Sequence, residues 1–501
     1  MIHRKAFFPI LAGIAIAAAL WPWRMSFPFD DAYITFRYAE HLAHGYGLVW
    51  NTTGPHTEGY TNFLQVLFLS PFAAQGTDLM IVSQLIGIAA TILTAFILYR
   101  FLYFATKSDA YSIAGSFLYL LQPFTWANAF SGLETTLFVL LVTAAFYYNA
   151  KKDWRAAFLF SSLATLARPE GALVGMIIAA SILLEPRTLR MSAIRMMVLY
   201  LILPMAFYAS FKWWYFGDLL PNSFYIKTGE HGFHGLLNTK WFLRGNLIFL
   251  ALALYTLWRR PSGWKLFLPI LAWSVSLILF YLWPEPLQGF YFRFDWAAVP
   301  ALILLTVFLV SKTQWSWRPA ALFGFIAIAQ IVFNMKHMRE EMSLATLEKG
   351  RDIYYELGMA LRSMPDHERM SFAYQDAGAV PYYSEMQHVD LVGLNTTAIA
   401  TCDSVEDACR ILEKIEPDII LIPAYRNNTE CWSVFQDAHG KARELTPALV
   451  HHPMMNAYVC VGYIRYLGYD ILCYTLPKCT PLFANAVKVY PWFVPGAVCV
   501  E

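Results

Sequence analysis

The first 401 residues of this 501-residue chain contain no cysteine. All seven (Cys402, Cys409, Cys431, Cys460, Cys473, Cys479, Cys499) fall in the last hundred. No pair among them has zinc-finger spacing, which argues against a structural zinc site. Their clustering in one compact segment predicts disulfides and an oxidising compartment, with at least one thiol left over by the odd count. Charge is scarce as well. Only 14% of residues are Asp, Glu, Lys or Arg and 58% are apolar, against about a quarter charged in ordinary soluble domains. That excludes a single soluble globule. The net charge is +2, and no basic patch is interleaved with aromatics in the polar part, so nucleic acid is excluded as a partner. Sequence repeats and low-complexity linkers are absent too.

What is present is a series of long apolar runs. Segments that span or nearly span a bilayer fall near 6–23, 78–104, 110–127, 132–150, 156–167 with 171–184, 191–216, 241–258, 266–283, 296–311 and 319–335. The run from Phe63 to Phe72 is too short to span and is expected to lie along the interface or re-enter. The first run follows His3-Arg4-Lys5, and Ala17-Ala18-Ala19 offers a cleavage site. The run continues past it through Trp23, as an uncleaved span would. With the N-terminus cytoplasmic, short basic connections collect on one side: Arg4-Lys5, Lys107, Lys151-Lys152, Arg187 with Arg190, Arg259-Arg260 and Lys312. This satisfies the positive-inside rule if 156–167 and 171–184 are two spans. About eleven transmembrane helices result. Residues 1–336 form the membrane domain, with a first outer loop over 24–77.

The remainder, 337–501, then lies outside the membrane. Leu347–Met364 and Ser404–Ile415 read as helices. Ser371–Tyr374, Asp418–Ile422 and Met455–Ile464 read as strands. A small α/β domain is expected.

The outer face gathers the chemistry-bearing residues. Asp30 and Asp31 adjoin the first span, where charge is costly and usually functional. A carboxylate there can take a proton from an attacking hydroxyl or stabilise positive charge at an anomeric carbon. The alternative is a helix cap for Ala32–His41. Asp31 is nearer that helix, which favours Asp30 for catalysis. Arg37, two turns on, is a phosphate ligand or a partner for an acid such as Glu40. Glu58, Tyr60 and Asn62 close the loop with groups suited to sugar hydroxyls, or simply form a polar turn. Glu134 suits a helix start. Arg168-Pro169-Glu170 breaks an apolar run; its charges either pair or bind an anionic head group. Lys227 and Arg293 lie beside aromatics and either grip a lipid phosphate or snorkel. His231 and His234 share one loop without a third metal ligand.

These residues resemble a family. Asp30-Asp31-Ala32-Tyr33-Ile34-Thr35-Phe36-Arg37-Tyr38-Ala39, Gly45-Tyr46-Gly47-Leu48-Val49-Trp50-Asn51 and Glu58-Gly59-Tyr60-Thr61-Asn62-Phe63 look like the first outer loop of the mycobacterial terminal β-(1→2) arabinofuranosyltransferase and its proteobacterial relatives. Gly132-Leu133-Glu134-Thr135, Ala167-Arg168-Pro169-Glu170-Gly171, Pro221-Asn222-Ser223-Phe224-Tyr225 and Asp376-Ala377-Gly378-Ala379-Val380-Pro381-Tyr382-Tyr383-Ser384 extend the likeness to about residue 396. The resemblance implies a GT-C fold in a bacterial inner membrane, with the C-terminal domain periplasmic. It implies transfer of arabinofuranose, or a close pentose, from a polyprenyl-phosphate donor to a glycan or protein acceptor. The aspartate pair would be catalytic. Arg37, Arg168, Lys227 and Arg293 would hold the donor phosphate, and Glu58, Tyr60, Asn62, Glu134, Glu170 and Asp376 the sugars. No cofactor is required by these residues, although the acid pair is compatible with a divalent cation. The competing class is a transporter or flippase of a lipid-linked sugar. It would place its charges near the midplane of broken, repeated helices.

Overall fold

The computed structural model describes residues 4–228, 236–282, 290–312, 324, 327–339, 350–426, 432–434, 442–466, 469–496 and 500. The chain enters through α1 (Phe7–Leu20). Two short helices, α2 (Ala32–Ala43) and α3 (Phe63–Ala73), form the first loop. Asp78 then starts a long helix of the bundle. Its side chain accepts from the backbone N–H groups of Met80 (2.9 Å) and Ile81 (3.2 Å), satisfying donors that a helix start leaves open. The helix, α4 (Leu79–Thr106), has 28 residues, about 42 Å at the α-helical rise. It packs on α5 (Asp109–Leu120), where Ser116 donates to the carbonyl of Ala95 (2.8 Å). Small residues let apolar helices approach closely in lipid.

Next come α6 (Pro123–Phe130), α7 (Thr135–Ala150), α8 (Trp154–Ala167) and α9 (Gly171–Ile182). A long bent helix, α10, covers Arg187–Phe216. Then follow α11 (Asn222–Thr228), α12 (Leu236–Gly245), α13 (Leu247–Arg259), α14 (Leu268–Leu282) and α15 (Val299–Lys312). Gly132, at φ +84°, turns the chain between α6 and α7, which meet at 118°. The left-handed conformation there is one that glycine adopts without penalty.

Among the described residues four helices are long and apolar enough to cross a membrane: Phe7–Met25, Leu79–Thr106, Arg187–Phe216 and Trp264–Leu282. The bent pairs α6/α7 and α12/α13 raise this to six. Those of the other expected spans that lie within the described residues are shorter, the span expected at 319–335 lies partly outside them, and eleven crossings are not reached by length alone among the described residues. The physical reason is punctuation: Pro123 follows α5, and Arg168-Pro169 ends α8.

The C-terminal part opens with α16 (Gly350–Arg362). A seven-stranded sheet follows: β1 (Ser371–Tyr374), β2 (Gln387–Asp390), β3 (Ile419–Arg426), β4 (Trp432–Val434), β5 (Val459–Arg465), β6 (Asp470–Thr475) and β7 (Phe493–Pro495). Its order is β2-β1-β3-β6-β5-β7, with β4 on the end of β3. β2, β1 and β3 are parallel; the other pairings are antiparallel. β3 begins Ile-Ile-Leu-Ile, buried on both faces, as a strand covered on both sides should be. Between strands lie α17 (Ala379–Ser384), α18 (Thr397–Ala400) and α19 (Val405–Ile415). Ser404 caps α19 by accepting from the N–H of Asp407 (3.1 Å).

Two apolar cores result, one among the membrane helices and one around the sheet. Tyr33 and Leu394 pack on both. A helix over 327–339 crosses position 336, where the sequence put the border. The disulfide expectation fails for Cys409, Cys473 and Cys479, which are buried thiols. They fill core positions as small apolar groups. Cys431 and Cys499 lie outside the described residues.

Candidate functional site

The aspartate pair diverges. Asp30 Oδ1 accepts from the backbone N–H of Ala379 (2.8 Å), at the start of α17. Gly378 permits this approach, because a Cβ there would run into the Asp30 carboxylate. Asp31 turns the other way. It occupies the N-cap position of α2 but makes no side-chain cap bond. Its Oδ2 lies 2.9 Å from Arg293 Nη2, and its side chain keeps 27% of its surface exposed. The argument that favoured Asp30 therefore fails: Asp31 is not used as the cap, and Asp30 is bound to the C-terminal domain.

Arg293 links the pair to a buried cluster. Its backbone carbonyl accepts from Arg168 Nη1 (3.1 Å). Arg168 Nε is 2.6 Å from Glu170 Oε1, and its Nη1 is 3.7 Å from Glu134 Oε1. Tyr281 accepts from Arg168 Nη2 (3.0 Å) and donates to Glu170 (2.6 Å). Asn62 Nδ2 donates to Glu134 Oε2 (2.9 Å) and lies 2.8 Å from Thr35 Oγ1. Thr35 is one turn beyond Asp31 on α2, so the chain of contacts returns to its start. Six candidates, Asp31, Asn62, Glu134, Arg168, Glu170 and Arg293, thus meet from four separate parts of the sequence.

Local sequence explains the arrangement. A residue before proline is pushed out of the helical region, and Arg168 sits at φ −157°, ψ 137°. That ends α8 and turns the guanidinium inward. Of the two outcomes for Arg168-Pro169-Glu170, its charges pair with each other. Glu134 precedes α7 but makes no side-chain cap bond; its oxygens face Asn62 and Arg168. Arg293 follows Tyr291 and Phe292, both at positive φ, and its guanidinium stacks over Phe294 (4.7 Å) and Phe29 (5.8 Å).

Other candidates lie elsewhere. Arg37, expected to hold phosphate or pair with an acid such as Glu40, makes no ion pair among the described residues and turns its donors to backbone carbonyls. Its Nε donates to the carbonyl of Trp50 (2.8 Å), its Nη2 to that of Met386 (2.7 Å), and its Nη1 to that of Pro381. Burial pulls this guanidinium down to about 10, so it stays charged at neutral pH. The side chain is a latch between the first loop and the C-terminal domain. Glu58 is buried against Lys212 Nζ (2.7 Å) of α10. Tyr60 is buried, edge-on to Tyr38. Asp376 accepts from Tyr354 (2.5 Å), within a tyrosine group that includes Tyr469 (3.0 Å from Tyr354). Lys227 is in α11, but its side chain lies outside the described residues, as do His231 and His234. The metal-like grouping among the described residues is His367, Glu368 and Glu385, on the sheet domain. It includes none of the outer-loop acids.

Sequence reading missed Tyr281 and Lys212. A tyrosine or lysine inside an apolar run was the available signal. It also missed the extent of docking between the domains. Asn51 Nδ2 donates to the carbonyl of His388 (3.0 Å), Tyr382 donates to Glu40 (2.5 Å), and Asn222 Nδ2 donates to the carbonyl of Leu394 (3.2 Å).

A family profile described as a domain of unknown function (DUF8728) matches residues 342–470. No curated protein matches the chain. Solved structures do share the fold. ArnT from Cupriavidus metallidurans bound to undecaprenyl phosphate has a TM-score of 0.57 at 12% identity, over 93% of this chain and 97% of that one. The archaeal oligosaccharyltransferase AglB from Archaeoglobus fulgidus, in complex with an inhibitory peptide and a dolichol-phosphate, has a TM-score of 0.55 at 12% identity. It covers 92% of this chain and 80% of that one. The fold of apolar helices followed by a sheet domain is therefore shared over 92–93% of this chain.

Proposed function

We propose that the chain is a glycosyltransferase of the GT-C type in a bacterial inner membrane. It moves a sugar, arabinofuranose by the resemblance of its loops, from a polyprenyl-phosphate donor to a periplasmic glycan or protein. The observation that carries this reading is the Asp31–Arg293 pair. It is a partly exposed carboxylate 2.9 Å from a guanidinium, at the edge of the buried cluster of Arg168, Glu134 and Glu170. Fold likeness to ArnT bound to undecaprenyl phosphate and to AglB with a dolichol-phosphate supports it.

In this reading Asp31 accepts the proton of the acceptor hydroxyl as its oxygen attacks the anomeric carbon. A glycosidic bond forms, the bond from that carbon to the phosphate oxygen breaks, and polyprenyl phosphate leaves. Arg293 offsets the charge that grows on the phosphate. Arg168, Glu170, Glu134 and Tyr281 hold Arg293 and Asn62 in position. Asp30 and Arg37 fasten the sheet domain over the loop.

The test is transfer by the purified protein from a panel of polyprenyl-phosphate pentoses and hexoses. Transfer from a pentose donor is expected, and Arg293→Ala should weaken binding of a donor analogue more than binding of acceptor. No transfer from any donor, together with movement of a labelled lipid-linked sugar across liposomes, would establish a flippase instead.

A further inference from the structure

In the parallel part of the sheet the strand order is β2-β1-β3. The chain leaves β1 for β2 on one side and comes back to β3 on the other, so the order reverses at β1. In open α/β sheets, ligands sit outside the carboxyl ends of the strands at such a reversal. Beyond β1 the chain runs Gln375-Asp376-Ala377-Gly378. This edge is turned toward the membrane helices. Ala377 is buried in their core, and Asp30 holds the N–H of Ala379 (2.8 Å). Three residues reach at most about 11 Å, so Asp376 stays within that span of the Asp30–Ala379 contact, and Asp30 is the neighbour of Asp31.

A carboxylate and several tyrosines gather here. Tyr354 of α16 donates to Asp376 (2.5 Å), and its hydroxyl lies 3.0 Å from that of Tyr469. Tyr374, the last residue of β1, donates to Tyr354 (3.5 Å). Asp470 pairs with Ala424 in the carboxyl half of β3, which brings the preceding Tyr466 and Tyr469 to the same edge. The Tyr466 ring stacks on Tyr354 (5.4 Å) and lies 4.6 Å from that of Tyr469. Tyr354 and Tyr374 are buried, whereas Asp376, Tyr466 and Tyr469 are partly exposed.

The chemistry of these groups selects the ligand. The charge acting on Tyr354 and Tyr374 is the carboxylate of Asp376. Arg426, at the end of β3, is stacked on Trp432 (5.4 Å). An anion would therefore meet a carboxylate. An apolar chain would strip water from that carboxylate and from the tyrosine hydroxyls without replacing its hydrogen bonds. A sugar ring suits both parts of the edge. Its hydroxyls donate to Asp376 and exchange hydrogen bonds with tyrosine hydroxyls, while its C–H face lies on an aromatic face. A serine or threonine side chain offers one hydroxyl, and a sugar offers several.

We infer that the carboxyl edge of β1 and β3 binds a sugar ring of the acceptor, with Asp376 accepting from its hydroxyls and Tyr466 and Tyr469 contributing ring face and hydroxyl. The inference rests on the glycosyltransferase reading. It narrows the acceptor to a glycan of more than one sugar, one ring held at Asp376 and another presented to Asp31.

The experiment measures binding to the full-length protein in detergent, without donor. The probes are a fluorescent arabinan oligosaccharide, a fluorescent glucan oligosaccharide and a serine-rich peptide. An oligosaccharide is expected to bind and the peptide is not. Asp376→Asn and Tyr469→Ala should each weaken oligosaccharide binding about tenfold, with binding of a donor analogue unchanged. Tyr469→Phe, which keeps the ring, should recover part of the loss. If these variants melt early, the wild type still decides. The oligosaccharide should shield Tyr466 and Tyr469 from nitration, read by mass spectrometry, and leave Tyr46, 56% exposed, unshielded. Binding of the peptide alone, no shielding of Tyr466 and Tyr469, or variants that melt and bind like the wild type would overturn the inference. Oligosaccharide binding and shielding without transfer from any donor would count against the glycosyltransferase reading instead.

Discussion

The divergence of Asp30 and Asp31 makes opposite predictions for two neighbouring, isosteric substitutions. Asp31→Asn keeps the shape and removes the charge. Its ion pair with Arg293 joins an aspartate 27% exposed to a guanidinium only 9% exposed, so its loss costs about 1–3 kcal/mol of stability. If Asp31 is the proton acceptor, the variant loses a contribution of about 10²–10⁴-fold in rate, or roughly 3–5 kcal/mol in the barrier. Asp30→Asn leaves an amide oxygen able to accept from Ala379, so transfer should remain within about tenfold of wild type. Asp30→Ala removes that acceptor. It strands the N–H at the start of α17 at a cost of about 1–3 kcal/mol, read as earlier thermal unfolding in detergent. The assay is transfer of radiolabelled sugar in membranes, with melting of each purified variant measured alongside. Wild-type transfer by Asp31→Asn would refute the assignment. So would an inactive Asp30→Asn that melts like the wild type.

Two further predictions concern the docked domain. Arg37→Ala leaves the carbonyls of Trp50, Pro381 and Met386 without their donor. It should destabilise by roughly 3–5 kcal/mol and speed proteolysis between the domains; unchanged digestion would show that the latch is dispensable. His388 is fully buried and hydrogen-bonded to the carbonyl of Tyr374 (3.1 Å), and burial holds its imidazole well below the ordinary value of 6.5. The unfolded chain then binds the extra proton, so this contribution is intact above pH 6.5 and is lost as pH falls below it. Melting from pH 8 to 5 should show that loss, and His388→Phe should flatten it. An unchanged slope in the variant would place the acid sensitivity elsewhere.

Local patterns made much of the sheet domain legible. Ser371–Tyr374 reads as a strand because alternating small and aromatic residues are bounded by turn formers, and it is β1 in full. Met455–Ile464 mixes two signals, and only its second half is extended, because Pro453 starts a 3-10 turn over Pro453–Ala457. The outer-loop helices α2 and α3 fall where the sequence has a helical run after Asp31 and a short apolar run from Phe63. The count of crossings did not follow as directly, because hydropathy sums over segments that proline and arginine divide.

For the candidate site, the sequence determined the inventory. Paired acids after a first span, an Arg-Pro-Glu break and an arginine among aromatics are costly features beside lipid, and cost is readable from residue type and position. What each does was decided by the fold. Asp30 and Asp31 are chemically identical neighbours, and one meets a backbone N–H from position 379 while the other meets a guanidinium from position 293. Arg37 has the composition of a phosphate ligand, yet three carbonyls from both domains take its donors. Partners 262 to 349 residues away leave no periodic trace in a chain. Helix docking alone sets which donor reaches which acceptor.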